Sequence, residues 1–145
     1  MKLLLVEDSE AIRKCLLRLL DGVPGIGSIQ VAATLAQALH SARRVPPAMA
    51  ILDLHLPDGN ATQIMDTLKM LAPGVKIAVL TNDASEFNRI HCRQAGATWF
   101  FDKSTECEAL LQLVQAQAAS MQPVGGGGLS ATRFATLGPL PDELP

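Results

Sequence analysis

Five short apolar blocks recur along this chain: "KLLLV" (2–6), "SIQVAA" (28–33), "AMAIL" (48–52), "VKIAVL" (75–80) and "TWFF" (98–101). Four of them are nearly continuous apolar runs rather than alternations. Strands buried on both faces of a parallel sheet read this way. Parallel neighbours cannot be joined by a tight turn, so each block needs a crossover, usually a helix. The intervening stretches carry the helical period. Ile12, Leu16, Leu19 and Leu20 share one face of the first, Ile64, Leu68 and Leu71 one face of the third, and Leu110, Leu111, Val114 and Ala118 one face of the last.

Helix ends give a second signal. Thr34 and Gln37, Asn60 and Gln63, Asp83 and Glu86, and Thr105 and Glu108 all have capping-box spacing. Ser9 is placed to cap the first helix without a reciprocal partner, and Gly22 and Gly96 sit where the first and fourth helices should stop. Strand–helix repeated five times predicts an α/β fold with helices on both faces of the sheet. The expected architecture is a doubly wound, five-stranded parallel sheet in the flavodoxin-like order 2-1-3-4-5. The domain is expected to span 1–120. Residues 121–145, "MQPVGGGGLSATRFATLGPLPDELP", are Gly- and Pro-rich and are expected to be a flexible tail or linker stub.

Charge narrows the function classes. Twelve Lys and Arg against fourteen Asp and Glu give a net charge of -2, with no basic stripe or polybasic run. Direct nucleic-acid binding by this chain and membrane attachment are not expected, and no apolar run is long enough to span a bilayer. Cys15, Cys92 and Cys107 are odd in number and lack CxxC spacing, which fits reduced, helix-packed thiols in a cytoplasmic protein. His91 beside Cys92 has no matching second pair for a metal site.

The polar residues fall at one kind of place. The first strand ends at Glu7-Asp8, the third at Asp53, the fourth at Thr81 and the fifth at Asp102-Lys103. A single acid at a strand end is ordinarily a solvated terminus. In a parallel sheet, however, all these are carboxyl ends and meet on one edge, where ligands bind at the point of strand-order reversal. That point brings Glu7, Asp8 and Asp53 together. At ~4 Å and an effective dielectric near 20, each like-charge pair costs roughly 4 kcal/mol. Lys103 offsets part of this. The remainder calls for a hard divalent cation, and carboxylates with a carbonyl and waters suit Mg²⁺.

The stretches "LLVEDSE" (4–10), "LDLHLPDGN" (52–60), "AVLTND" (78–83) and "GATWFFDKS" (96–104), in order and at the correct strand ends, resemble the receiver domain of bacterial two-component response regulators, the family of the chemotaxis regulator. The resemblance covers residues 1 to about 120. It implies that Asp53 is the phosphoacceptor, taking a phosphoryl group from a sensor histidine kinase or a histidine phosphotransfer protein. It implies that Glu7 and Asp8 hold Mg²⁺ directly or through water, with Asp53 and the main-chain carbonyl of His55. Thr81 would hydrogen-bond a phosphoryl oxygen, Lys103 would pair with another, and Phe100 would be the aromatic switch. Output would leave through the face of the fourth helix, fifth strand and fifth helix, toward a protein target or a phosphorylation-dependent dimer, with Phe100 moving inward.

Three positions depart from the family pattern. Phe100 stands where many members have Tyr, Ser104 where Pro often follows the Lys, and Asn82 where Ala or Gly is common. Asn82, at the mouth of the crevice, is expected to slow small phosphodonors, and His55 and Asp83 flank the same opening and would tune access or lifetime. The expected role is a signalling switch catalysing its own phosphorylation and dephosphorylation, not an enzyme acting on other substrates. Alternatives are the receiver part of a DNA-binding regulator and a metal-dependent phosphatase using an aspartyl phosphate. A phosphatase of the haloacid-dehalogenase type wants a second Asp where this chain has His55. A mononucleotide binder would want a phosphate-cradling loop where the chain has Glu7 and Asp8, and a receiver used only for docking would not need Asp53, Thr81 and Lys103.

Overall fold

The structure, a computed structural model, describes residues 1–121. The rest of the expected tail lies outside the described residues. The elements alternate as read: β1 (Lys2–Val6), α1 (Glu10–Leu20), β2 (Ser28–Ala32), α2 (Leu35–Arg44) and β3 (Met49–Leu52). A short antiparallel pair follows, β4 (His55–Leu56) and β5 (Gly59–Asn60), and then a 3-10 turn (Ala61–Ile64) runs into α3 (Met65–Leu71). The chain continues through β6 (Lys76–Thr81), α4 (Glu86–Ala95), β7 (Trp99–Asp102) and α5 (Cys107–Ser120).

The five long strands form one parallel sheet in the order β2-β1-β3-β6-β7. With the small hairpin set aside, this is the expected flavodoxin-like order. The period-2 alternation of each strand divides the core in two. Leu4, Val6, Leu52, Val79 and Phe100 face α2, α3 and α4, while Leu3, Leu5, Ile51, Leu80 and Phe101 face α1 and α5. All four residues of β3 are buried, whereas edge strand β2 is not fully covered, matching its less apolar sequence.

Two of the expected helix starts lie elsewhere. Ser85, not Asp83, caps α4, its hydroxyl accepting from the Asn88 N–H at 3.2 Å, because Asp83 reaches across to His55 instead. α5 begins at Cys107 rather than just after Thr105. The chain leaves β7 in a turn closed on Asp102, which accepts from the N–H groups of Thr105 and Glu106, so regular helix starts later. Thr34, Asn60 and Ser9 cap as expected, and the Asn60–Gln63 pair forms the full capping box. Gly96 ends α4 at φ +122, a conformation glycine favours, while α1 ends at Leu20, two residues before Gly22.

Two packing expectations are also corrected. Leu19 is exposed, since the buried stripe of α1 runs through Leu16 and Leu20 at a spacing of four. Cys15 lies on a helix but is exposed, whereas Cys92 is buried and Cys107 partly so. Burial pushes the Cys92 thiol up to about 12, a structural rather than a reactive group. His91 stacks on Phe87, so His91 and Cys92 serve different surroundings.

Candidate functional site

The sheet carries its ladder one residue past several strand ends. Glu7 N–H donates to Ala32 O at 2.9 Å, Asp53 N–H to Val6 O at 2.9 Å, and Lys103 N–H to Thr81 O at 2.9 Å. Each functional side chain therefore leaves a backbone fixed by the sheet, which positions a group better than a free loop can.

Glu7, Asp53, Thr81 and Lys103 meet at the carboxyl edge. The Lys103 ammonium donates to Glu7 Oε1 at 2.7 Å and to Asp53 Oδ2 at 3.2 Å. Glu7 is 2% exposed and the Lys103 side chain 9%, so the pair is dry at its floor. Burial raises the Glu7 carboxyl pKa, with the Asp53 charge adding to it, although bonds from Lys103 and Ser9 act against this. Burial opposes the charge on Lys103, yet the bond to Glu7 and the charges of Asp53 and Glu7 outweigh it and hold its pKa above the ordinary lysine value. The second Glu7 oxygen, Oε2, accepts from the Ser9 N–H at 3.0 Å. Both oxygens of Glu7 thus have donors.

Asp8 is exposed beside this floor. Oxygens of Glu7, Asp8 and Asp53 lie within 4.8 Å of one another, the one such group of acids, His or Cys among the described residues. An all-oxygen donor set on that scale suits a hard divalent cation with ligands at ~2.1 Å. The residues fit a metal of this kind.

Above the floor is an open crevice of about 360 Å³ lined by Asp53, His55, Thr81, Asn82, Asp83 and Lys103. Thr81 is buried, and its hydroxyl accepts from the Asp83 N–H at 3.1 Å, leaving its own proton to donate. Across the mouth, His55 Nε2 and Asp83 Oδ2 are 2.8 Å apart. The hydrogen bond from His55, helped by one from Asn88, lowers the Asp83 carboxyl pKa. Phe100 is 5% exposed, so the ring expected to move inward on modification is already inside, with the Arg89 guanidinium 4.8 Å from its centroid. Ser104 donates its N–H and hydroxyl to Asp102 Oδ1, and the peptides of the described residues are trans.

Four contributors escaped the sequence reading. Ser9, besides capping α1, holds Glu7 through its N–H. Arg13 donates to the Glu7 carbonyl at 2.8 Å, and Arg89 covers Phe100. Asp58 sits in the turn of the β4–β5 hairpin and accepts from the N–H groups of Leu35 at 2.8 Å and Ala36 at 3.1 Å. This pins the loop after Asp53 to the start of α2, where a carboxylate is favoured. Gly59 beside it has φ +145, and a Cβ there would collide with the Gln63 side chain. No local pattern reveals contacts more than twenty residues apart, although the Pro-Asp-Gly turn does mark Asp58 as a turn residue.

Asp58→Ala is expected to lower the melting temperature by removing this anchor. The bond from the Leu35 N–H, with that from Ala36, lowers the Asp58 pKa below its ordinary 3.8. Its contribution is therefore present above 3.8 and lost as pH falls through the lowered value. Melts of both proteins across acid pH should converge there. A difference that persisted unchanged at the acid end would count against the anchor.

Residues 3–115 match the response regulator receiver domain family. The chain is 28% identical over 131 residues to the photosynthetic apparatus regulatory protein RegA of Cereibacter sphaeroides, covering 90% of this chain and 70% of that protein. It is 29% identical over 114 residues to the DNA-binding transcriptional activator DevR/DosR of Mycobacterium tuberculosis, covering 79% of this chain and 52% of that one. A crystal structure of a response regulator from Burkholderia pseudomallei, with a phosphorylated aspartic acid, a calcium ion and citrate, superposes with a TM-score of 0.68 at 26% identity, over 85% of this chain and 75% of that one.

Proposed function

The chain belongs to the response regulator receiver domain family, and from that premise we propose that it is a phosphorylation-controlled switch that accepts a phosphoryl group on Asp53. The observation that carries this reading is the Lys103 ammonium bridging Glu7 and Asp53 at 2.7 and 3.2 Å, at the floor of a crevice shared with Thr81. The donor is a phosphohistidine of a sensor kinase or phosphotransfer protein. A carboxylate oxygen of Asp53 attacks the phosphorus, the phosphorus–nitrogen bond breaks, and the imidazole leaves with the electron pair. Lys103 holds Asp53 Oδ2 and so fixes the rotation of the nucleophile. The Thr81 proton and the Lys103 ammonium meet the phosphoryl oxygens. Such transfer depends mostly on positioning and charge neutralisation.

Mg²⁺ would be held by Asp8, Asp53 and the main-chain carbonyl of His55, with Glu7 contributing directly or through water. When bound, it supplies positive charge against the transferring group. The calcium ion and phosphorylated aspartic acid of the Burkholderia pseudomallei relative support this assignment. Incubation with acetyl phosphate and Mg²⁺ is expected to add one acid-stable, base-labile phosphoryl group per chain. No uptake would overturn the reading.

The acidic cluster predicts a metal-dependent stability. A ligand present at tenfold its dissociation constant adds about 1.4 kcal/mol to the native state, roughly 4–6 °C for a domain of this size. The melting temperature should rise by this order with Mg²⁺ over EDTA, and Asp8→Ala should shrink the rise. Identical melts in all conditions would count against the metal.

Output runs through α4, β7 and α5. Phe87 and Ile90 are exposed on α4, and Arg89 links that helix to Phe100 on β7. The face suits a protein target or a second copy. No described helix is long and apolar enough to cross a membrane. A second reading, the receiver part of a DNA-binding regulator, is favoured by the 52% coverage of DevR/DosR.

A further inference from the structure

β2 and β7 are the two edges of the sheet, and they are not equally covered. β7 is buried from Trp99 to Phe101, whereas Val31 on β2 is 46% exposed. β2 also carries neither a charged residue nor a proline, the usual blocks to pairing with another strand. The ladder decides which of its backbone groups are free. Glu7 N–H donates to Ala32 O, so Ala32 aims its N–H and C=O at β1, and Gln30 does the same by alternation. Ile29 and Val31 therefore aim theirs outward, where no described strand lies. Just beyond them, Gly27 N–H donates to Met1 O and Ala33 N–H to Gln37 Oε1, so the free stretch is bounded at both ends.

We propose that β2 is the centre of an interface between two copies of this chain, whose sheets join edge to edge through antiparallel β2 strands. The contact is separate from the face of α4, β7 and α5 and needs no phosphoryl group. A two-fold axis through Gln30 sets Ile29 opposite Val31 of the second copy, and Val31 opposite its Ile29. This register engages every outward N–H and C=O of both residues. Pairing Ile29 with Ile29, or Val31 with Val31, sets the other residue against Gly27 or Ala33, whose N–H groups are already taken. The same register covers Val31 with Ile29 of the second copy, since both side chains point to the α1 side with their ladder partners Leu5 and Leu3. Charge is self-complementary on both flanks. A groove of about 450 Å³ beside β2 is lined by Lys14, Leu17, Arg18, Asp21 and Ile29. The two-fold reverses α1 against its copy, so Lys14 and Arg18 of one groove face Asp21 of the other. On the far side of the sheet, Arg44 lines a second groove at the end of α2. Reversal turns it toward the start of the second copy's α2, where Asp58 is held.

Sedimentation velocity of the full, unphosphorylated chain is expected to show a monomer–dimer equilibrium. Val31→Pro and Val31→Lys should each raise the dimer dissociation constant about tenfold or more, since the two-fold makes every loss count twice. The Val31 N–H points away from β1, so proline there removes no bond of the monomer's own sheet. Melts of both variants in dilute solution should stay close to wild type. Arg18→Asp should weaken the dimer, and Asp21→Arg added to it should restore it. Gln30→Cys checks the register. Gln30 meets itself in a non-hydrogen-bonded pair with Cα atoms about 4.5 Å apart, within disulfide reach. Oxidised glutathione should therefore link Gln30→Cys chains into a covalent dimer, whereas Ser28→Cys, opposite Ala32, should link no more than wild type. A wild-type chain that stays monomeric up to about 1 mM would overturn the interface. So would a dimer that survives both Val31 changes, one that needs Phe87 and Ile90 instead, or equal linking at positions 28 and 30.

Discussion

Asp53→Asn is expected to reduce phosphoryl uptake from acetyl phosphate to background while leaving the fold intact. In the proposed function the carboxylate is the nucleophile, and an amide oxygen at the same position does not form an acyl phosphate. The change preserves shape, and the Asp53 N–H that donates to Val6 O is backbone and unaffected. Lys103 keeps its shorter bond, 2.7 Å to Glu7, so the floor of the crevice retains its ion pair. Loss of one of three crowded carboxylates also relieves repulsion, and the melting temperature without Mg²⁺ should hold or rise. Intact-mass measurement of the labelled protein with a parallel melt separates lost chemistry from lost folding. Equal labelling of the variant would falsify the assignment of Asp53.

Lys103→Met is expected to have the largest effect on stability. It removes the cation that meets two buried or nearly buried carboxylates and leaves Glu7, 2% exposed, beside Asp53 without a counter-charge. Breaking a fully enclosed pair costs ~3–5 kcal/mol. This crevice opens to water on one side, so about 2–3 kcal/mol is expected, scaled down from that range, or roughly 6–15 °C. The sign of its pH dependence follows from Glu7. Its pKa is already raised above the ordinary 4.5 by burial, and without Lys103 it loses a bond that lowers it. A raised carboxyl binds its proton more tightly in the folded state, so the deficit should be small near 4.5 and open as pH rises. Adding Glu7→Gln should recover part of the loss at neutral pH. A variant as stable as wild type throughout this range would show that the pair contributes nothing.

Much of this molecule can be read from local pattern. The five apolar blocks became the five strands of the sheet, and the near-continuous runs at β1, β3, β6 and β7 are enclosed on both faces. Glu7, Asp8, Asp53, Thr81 and Lys103 could be placed together because a parallel sheet sends all its strand ends to one edge. The two displaced helix starts have different causes. Asp83 has the composition and spacing of a helix cap, but a partner twenty-eight residues away competes for its carboxylate. Thr105 has the same spacing, but the turn closed on Asp102 delays the helix.

The sequence by itself determined the order of elements, the two-faced sheet and the identity of the groups on its carboxyl edge. These depend on periodicity and strand polarity, which repeat over a few residues and need no knowledge of distant partners. Only the tertiary structure decided which of those groups touch. Lys103 bonds both Glu7 and Asp53, Glu7 accepts from both Lys103 and Ser9, Asp58 ties the loop after Asp53 to α2, and His55 closes on Asp83. The reason is geometric. A hydrogen bond is settled over tenths of an ångström, between side chains whose backbones are brought together by strand pairing and crossover packing, and that placement has no local signature in the chain.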